Sequence, residues 1–340
     1  MNILLTSVGR RGYLVDYFKE AFLDGRLIFT ANSELTYTMQ LSDGFIITPL
    51  IYEDDYIDTI IRFCKKNNVS YVLSLFDIDL YVLSKNEKLF SENGITLILA
   101  PEMSVEICND KWKTYEFLKK LNIATPKTYL NKEDALSDIE KGILKFPVII
   151  KPRWGMASMG IYVVDNEREL DVLYSKSCRD VFKSFLKYES SLTKDNPIII
   201  QEFLVGNEYG IDLVNDLNAN FFTCIAKQKV RMRAGETDLG LTVNNSPFLN
   251  IARLLSKSIL HKGILSVDCF IVNDAVYVTE MNCRISGHYP IGHSAGFNFP
   301  ELMKKWIDNI EIDVGDSHYE TGVYVCKELL IKRLGSNQSY

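Results

Sequence analysis

Five short apolar runs punctuate the first hundred residues: Ile3-Leu4-Leu5, Leu27-Ile28-Phe29, Phe45-Ile46-Ile47, Tyr71-Val72-Leu73 and Thr96-Leu97-Ile98-Leu99. Between them, segments such as Tyr13 to Leu23 and Asp54 to Lys66 repeat apolar residues at i, i+3, i+4 spacing. Strands alternating with helices predict an α/β region built on a doubly wound parallel sheet, because parallel neighbours need a crossover helix. Pro101 closes the run, and Asn109-Asp110 supplies an N-cap for a helix over Lys111 to Lys120.

The rhythm then changes. Phe146 to Lys151 and Ile161 to Val164 predict a hairpin around a Gly-containing turn, and the polar stretch 175–196 predicts a solvated helical excursion or a mobile insertion. Beyond it, Ile198 to Ile200, Tyr209 to Val214, Phe221 to Ala226, Leu265 to Val272 and Val276 to Met281 read as strands joined by turns, with one helix at Phe248 to His261. That is an antiparallel α+β block. Three regions are expected, 1–108, 109–196 and 197–340, which suits a chain of 340 residues at about 150 residues per domain.

Composition excludes several classes. With 47% hydrophobic and 24% charged residues the chain is of ordinary globular type, and a formal net charge of -6 disfavours general nucleic-acid or anionic-membrane binding. The 7 Cys are widely spaced without a C-x-x-C, so neither a disulfide framework nor a zinc site is indicated. No run approaches the ~18 apolar residues of a membrane span, and the N-terminus lacks the pattern of a secretory signal. A soluble cytoplasmic protein is the expectation.

The phosphate-binding motifs are informative by subtraction. Gly155 and Gly160 have G-x-x-x-x-G spacing, but Ile161-Tyr162 stands where a P-loop needs Lys and Ser/Thr. Gly9-Arg10-Arg11-Gly12 follows the first strand but is no G-x-G-x-x-G, so a dinucleotide oxidoreductase loses its main support. What remains is Lys151 at a strand end, followed by a turn in which Gly155, Ala157, Ser158 and Gly160 let backbone N–H groups approach an anion. An ordinary hairpin with a solvent-facing lysine is the alternative. Further on, Asp268 lies on one strand, Glu280 on the next and Asn282 two residues beyond. Residues i and i+2 share a strand face, so a hairpin can bring the three oxygen-bearing side chains together. Such a set suits Mg²⁺ or Mn²⁺ with phosphates completing the shell, and Arg284 is placed to neutralise a transferring phosphoryl group.

Taken in order, Asp110-Lys111, KPRWGMASMG from Lys151, QEFLVGNEYGIDLV from Gln201, VDCF around Asp268 and EMNCR from Glu280 resemble the ATP-grasp superfamily. Within it, the chain is similar to short, single-copy homologues of the carbamoyl-phosphate synthase large subunit. The resemblance implies an N-terminal Rossmann-like domain followed by a two-lobed nucleotide-binding module, with ATP and Mg²⁺ as cofactors. It implies that Lys111 and Lys151 contact ATP phosphates under a lid at 155–160. Glu202, Phe203 and Leu204 would hold adenine, and Glu208 the ribose. Asp268, Glu280 and Asn282 would ligate metal, with Arg284 at the reacting phosphoryl group. Two departures stand out: Asp268 replaces the Gln of the synthase relatives, and the lid has fewer glycines than many members.

The implied chemistry is an ATP-dependent carboxylate–amine ligation through an acyl-phosphate, joining small-molecule acid and amine substrates, with a homodimer as the expected assembly. A carbamoyl-phosphate-type phosphorylation of bicarbonate or carbamate and a non-catalytic nucleotide-binding protein are the alternatives. Substrate contacts are expected from several places. Arg10 and Arg11 oppose the dipole of the first helix unless an anion binds there, solvated arginines being the alternative. Lys229, Arg231 and Arg233 alternate along one strand face, Arg233 as a further catalytic candidate, although a charged edge strand fits the same pattern. Ser286 and His288 follow Arg284 into a candidate acceptor pocket or a plain loop.

Overall fold

The computed structural model describes residues 1–155, 159–184, 186–191, 196–328 and 330–334. The N-terminal strands β1 (Asn2–Thr6), β2 (Ile28–Asn32), β3 (Gly44–Ile47), β4 (Val69–Ser74) and β5 (Thr96–Leu97) form one sheet in the order β3-β2-β1-β4-β5. Every pairing in it is parallel. β2 is buried along its whole length and β1 in all but its first residue, which is why both read as continuous apolar runs.

The small second sheet is antiparallel, in the order β6-β9-β7-β8, from β6 (Thr128–Tyr129), β7 (Val148–Pro152), β8 (Tyr162–Val164) and β9 (Ile198–Glu202). β9 lies past residue 196 yet pairs with β7 along five positions from Val148 to Pro152. Among its described residues the polar stretch before it is largely helical: one helix spans Glu167–Val181, capped by Asn166, and a short one spans Lys187–Ser190.

The third sheet has six antiparallel strands in the order β14-β13-β10-β11-β12-β15. They are β10 (Asn207–Asn215), β11 (Phe221–Arg233), β12 (Glu236–Val243), β13 (Gly263–Val272), β14 (Ala275–Asn282) and β15 (Tyr324–Cys326). The helix Leu249–Ile259 packs its Ala252, Leu255 and Ile259 face into the core.

Two apolar clusters weld the first and third sheets together. One joins Leu4, Phe29 and Val72 to Leu213, Val267 and Met281, and the other joins Ile3 and Leu5 to Val214, Ile225 and Phe299. The small sheet has its own cluster around Val148, Ile150, Val164 and Ile200. Leu4 is fully buried at the shared boundary. Leu4→Ala is expected to cost about 2–5 kcal/mol in urea unfolding, through lost transfer energy and a cavity.

Candidate active site

A cleft of about 710 Å³ opens where the three sheets meet, and residues from all of them line it. The small sheet contributes Ile149, Lys151 and Ile161, the large sheet Glu208, Lys229, Asp268, Glu280 and Asn282, and the N-terminal domain Arg11, Phe76 and Asp77.

Asp110 organises one wall. Its carboxylate caps the helix Lys111–Lys120 by accepting from the N–H groups of Trp112 and Lys113. It also receives the Arg153 fork, Nε and Nη2 each at 2.7 Å, in a buried pair. Helix start and strand end are thereby held side by side, and Lys111 and Lys151 enter the cleft together. Lys111 Nζ donates to the Gly155 carbonyl at 2.6 Å and lies 3.5 Å from Glu280 Oε1. Burial pushes Lys151 down to about 8, against the pull of Glu280 and with the help of Lys111. Gly155 lines the cleft and Gly160 takes a φ of 67°; Ser158 lies outside the described residues.

The opposite wall is set by strand register. Asp268 pairs across from Glu280 and Ser266 from Asn282, so all four share a face, while Val278 and Met281 point into the core. Lys229 bridges Glu208 at 2.8 Å and Asp268 at 2.9 Å. Burial would lower the Lys229 pKa, but the two carboxylates outweigh it and raise it. Among the described residues no three His, Cys, Asp or Glu side chains converge as a protein-only metal cage. Two carboxylates and an amide on one cleft face are the donor set that Mg²⁺ uses when phosphates and water supply the remaining positions.

Arg284 Nε and Nη2 reach Asp77 Oδ2 at 2.9 and 2.7 Å. Burial opposes the Arg284 charge, but Asp77 outweighs it and raises the pKa. His288 is buried between Ser266 (3.1 Å to Nε2) and Ser286 (2.9 Å to Nδ1), and Ser286 in turn donates to Asp212 at 3.0 Å. Burial first, and Lys227 second, push His288 down to about 4, so the ring is neutral near pH 7. Its close approach needs Gly210, where a Cβ would sit 2.5 Å from the ring. Glu202, Phe203 and Leu204 line the cleft, with Glu202 accepting from the Lys127 N–H at 3.1 Å.

Three expected substrate contacts lie elsewhere. Arg10 is exposed and is absent from the cleft lining, whereas its neighbour Arg11 lies in it. Arg231 and Arg233 are outside the cleft, their side chains 61% and 49% exposed and both paired with Asp238. The alternation that would have carried them inward from Lys229 is broken by register shifts on either side of Arg231, and Met232 takes the cleft position instead. Asp77, Glu236 and the bridging role of Lys229 escape sequence reasoning. The nearest signal was Asp77 at the first turn of a helix directly after the fourth apolar run.

Comparison with known proteins identifies the family of the chain. Residues 108–288, more than half of the chain, match the ATP-grasp domain family, and residues 3–98 match the PylC-like N-terminal domain. The chain therefore belongs to the ATP-grasp family. The carbamoyl phosphate synthase large chain of Clostridium botulinum is 24% identical over 319 residues, covering 89% of this chain and 27% of that protein. The chain thus spans about a quarter of that relative's length. Two solved structures share the fold. One is the biotin carboxylase domain of Hydrogenobacter thermophilus 2-oxoglutarate carboxylase, with a TM-score of 0.73, 16% identity and coverage of 95% of this chain and 73% of that one. The other is an L-amino acid ligase from Bacillus licheniformis, with a TM-score of 0.69, 20% identity and coverage of 92% and 78%.

Asp110→Ala removes the cap and strands Arg153 as a buried, unpaired charge. The expected loss is about 3–5 kcal/mol of stability in denaturant titration, with weaker nucleotide binding by the same protein.

Proposed function

We propose that the protein is an ATP-dependent carboxylate–amine ligase that forms an amide through an acyl-phosphate and cleaves ATP to ADP and phosphate. The observation that carries this reading is the convergence of Lys111, Lys151, Asp268, Glu280, Asn282 and Arg284 on one cleft that also offers apolar lining at Ile149, Ile161, Phe203 and Leu204. The similar structures support it: one is an L-amino acid ligase, the other a biotin carboxylase domain complexed with MgADP and bicarbonate.

In this reading Lys111 and Lys151 receive the nucleotide phosphates beside Gly155 and Gly160, Glu202 to Leu204 hold the adenine and Glu208 the ribose. Mg²⁺ carried by Asp268, Glu280 and Asn282 supplies neutralisation of phosphate charge when bound. An oxygen of the substrate carboxylate attacks the γ-phosphorus, the bond to the β-bridging oxygen breaks, and ADP leaves with that electron pair. Arg284 faces the charge that develops on the transferred group. The amine nitrogen then attacks the acyl carbon, the carbon–oxygen bond to phosphate breaks, and inorganic phosphate departs. An amine bound as its ammonium first releases one proton to solvent to free the lone pair, and after attack the nitrogen gives up a second to phosphate or solvent. No protein nucleophile is required, and Ser286 with His288 line the acceptor end of the cleft.

The test is nucleotide turnover with Mg²⁺ against paired pools of carboxylates and amines. ADP and phosphate should appear only when both are present, and AMP in place of ADP overturns the acyl-phosphate route. Glu280→Gln should lower kcat by about 10²–10³-fold. A second measurement concerns pH. Free Lys151 is charged below its pKa of about 8 and neutral above it. Affinity for AMP-PNP, measured by calorimetry, should be flat below that value. Above it, affinity should fall by up to about tenfold per pH unit until the raised pKa of the complex is passed. Lys151→Met should bind weakly and remove the dependence.

A further inference from the structure

In the first sheet the strand order reverses between β1 and β4, and open parallel sheets bind ligands in the crevice outside the carboxyl ends at such a point. Here the crevice opens onto the cleft, with Arg11 coming from beyond β1 and Phe76 and Asp77 from beyond β4. Arg11 spans it by donating from Nη1 to the carbonyls of Leu75 at 2.9 Å and Ile285 at 3.3 Å. Among the described residues no carboxylate forms an ion pair with Arg11, and its other guanidinium N–H groups make no hydrogen bond. Asp77 is the complement. Both N–H contacts from Arg284 fall on its Oδ2, and Oδ1 is buried without a partner. The Tyr13 hydroxyl is a third buried group without a partner, electrostatically coupled to Arg11 and Glu236.

A guanidinium that feels Glu236 and Asp77 only at a distance and an anionic oxygen lacking a donor thus line one crevice without direct contact between them. Leaving such groups unmatched is unfavourable, and a ligand with both charges on adjacent atoms matches them together. A simple anion would satisfy Arg11 and leave Asp77 Oδ1 as it stands. Because the same Asp77 carboxylate holds Arg284, a cation on Oδ1 lies beside the group assigned to the reacting phosphoryl. We propose that the switch-point crevice receives the amine substrate and that this substrate is an α-amino acid, its carboxylate held by Arg11 and its ammonium by Asp77 Oδ1. The proposal rests on the ligase reading for the word substrate, but its binding test does not.

The full chain, loaded with Mg²⁺ and AMP-PNP, is titrated calorimetrically with the proteinogenic L-α-amino acids. Each binder is compared with its own carboxamide, which keeps the ammonium and lacks the carboxylate. At least one amino acid should bind about tenfold or more tightly than its carboxamide, the scale of a lost charge-assisted hydrogen bond. Arg11→Gln should bring that ratio close to one; a general loss of fold weakens both ligands and leaves the ratio unchanged. Arg11→Lys, which keeps charge without the fork, should restore part of the ratio. Asp77→Asn should weaken acid and carboxamide alike. The subsite is overturned if no amino acid binds, if acid and carboxamide bind equally, or if Arg11→Gln leaves the ratio intact. An amino acid that binds with the predicted ratios while no acid in the pool yields ADP overturns the ligase and spares the subsite. Turnover that prefers amines without an α-carboxylate does the reverse.

Discussion

The fork from Arg284 to Asp77 joins the end of the metal-candidate hairpin to the first turn of a helix on the N-terminal sheet. Much of the site follows from that contact. It fixes the guanidinium at the meeting point of two sheets and turns one Asp77 oxygen away from the cation. It also draws the 284–288 loop across the cleft floor, where Ile285 accepts from Arg11 and His288 stands over Gly210. Asp77 is buried and Arg284 largely covered, so salt screens the pair far less than it would a surface bridge.

The average charge of the chain says little about this region. A net of -6 coexists with Arg11, Lys111, Lys151, Lys229 and Arg284 in one cleft, opposed there by Asp77, Glu202, Glu208, Glu236, Asp268 and Glu280. The cleft is a near-balanced mosaic, and selectivity lies in which charges are already paired. Lys229 is saturated by two carboxylates, whereas Lys151 is buried and held down near 8. A phosphate-bearing ligand therefore gains more from Lys151 than from Lys229.

Legibility in the sequence tracked locality. The strands of the first sheet announced themselves because most of their residues are buried on both faces. Asp268, Glu280 and Asn282 were legible as one face because a period of two and a short hairpin decide it. Arg231 and Arg233 misled because the same period is broken by bulges that alternation alone does not reveal. β12 opens on the polar Glu236-Thr237-Asp238, so only its second half, with Leu239, Leu241 and Val243, alternates like a strand, and pairing with β11 and β15 extends it over the polar start. β9 joined the small sheet because its partner β7 lies about fifty residues earlier in the chain, beyond the reach of local pattern. Asp77 was invisible as a site residue because its meaning comes from an arginine 207 positions away.

The separate apolar cluster of the small sheet has a further consequence. None of its buried members belongs to the clusters that weld the other two sheets. Polar contacts tie it to them at the cleft edge, Asp110 with Arg153, Lys111 with the Gly155 carbonyl and Tyr52 with Glu189, together with the stacked rings of Tyr52 and Tyr188. Global unfolding and displacement of the small sheet therefore draw on different reserves of free energy. Substitutions inside its cluster weaken that lobe first and spare the body that holds the candidate metal face. The two parts of the chain can thus lose stability separately.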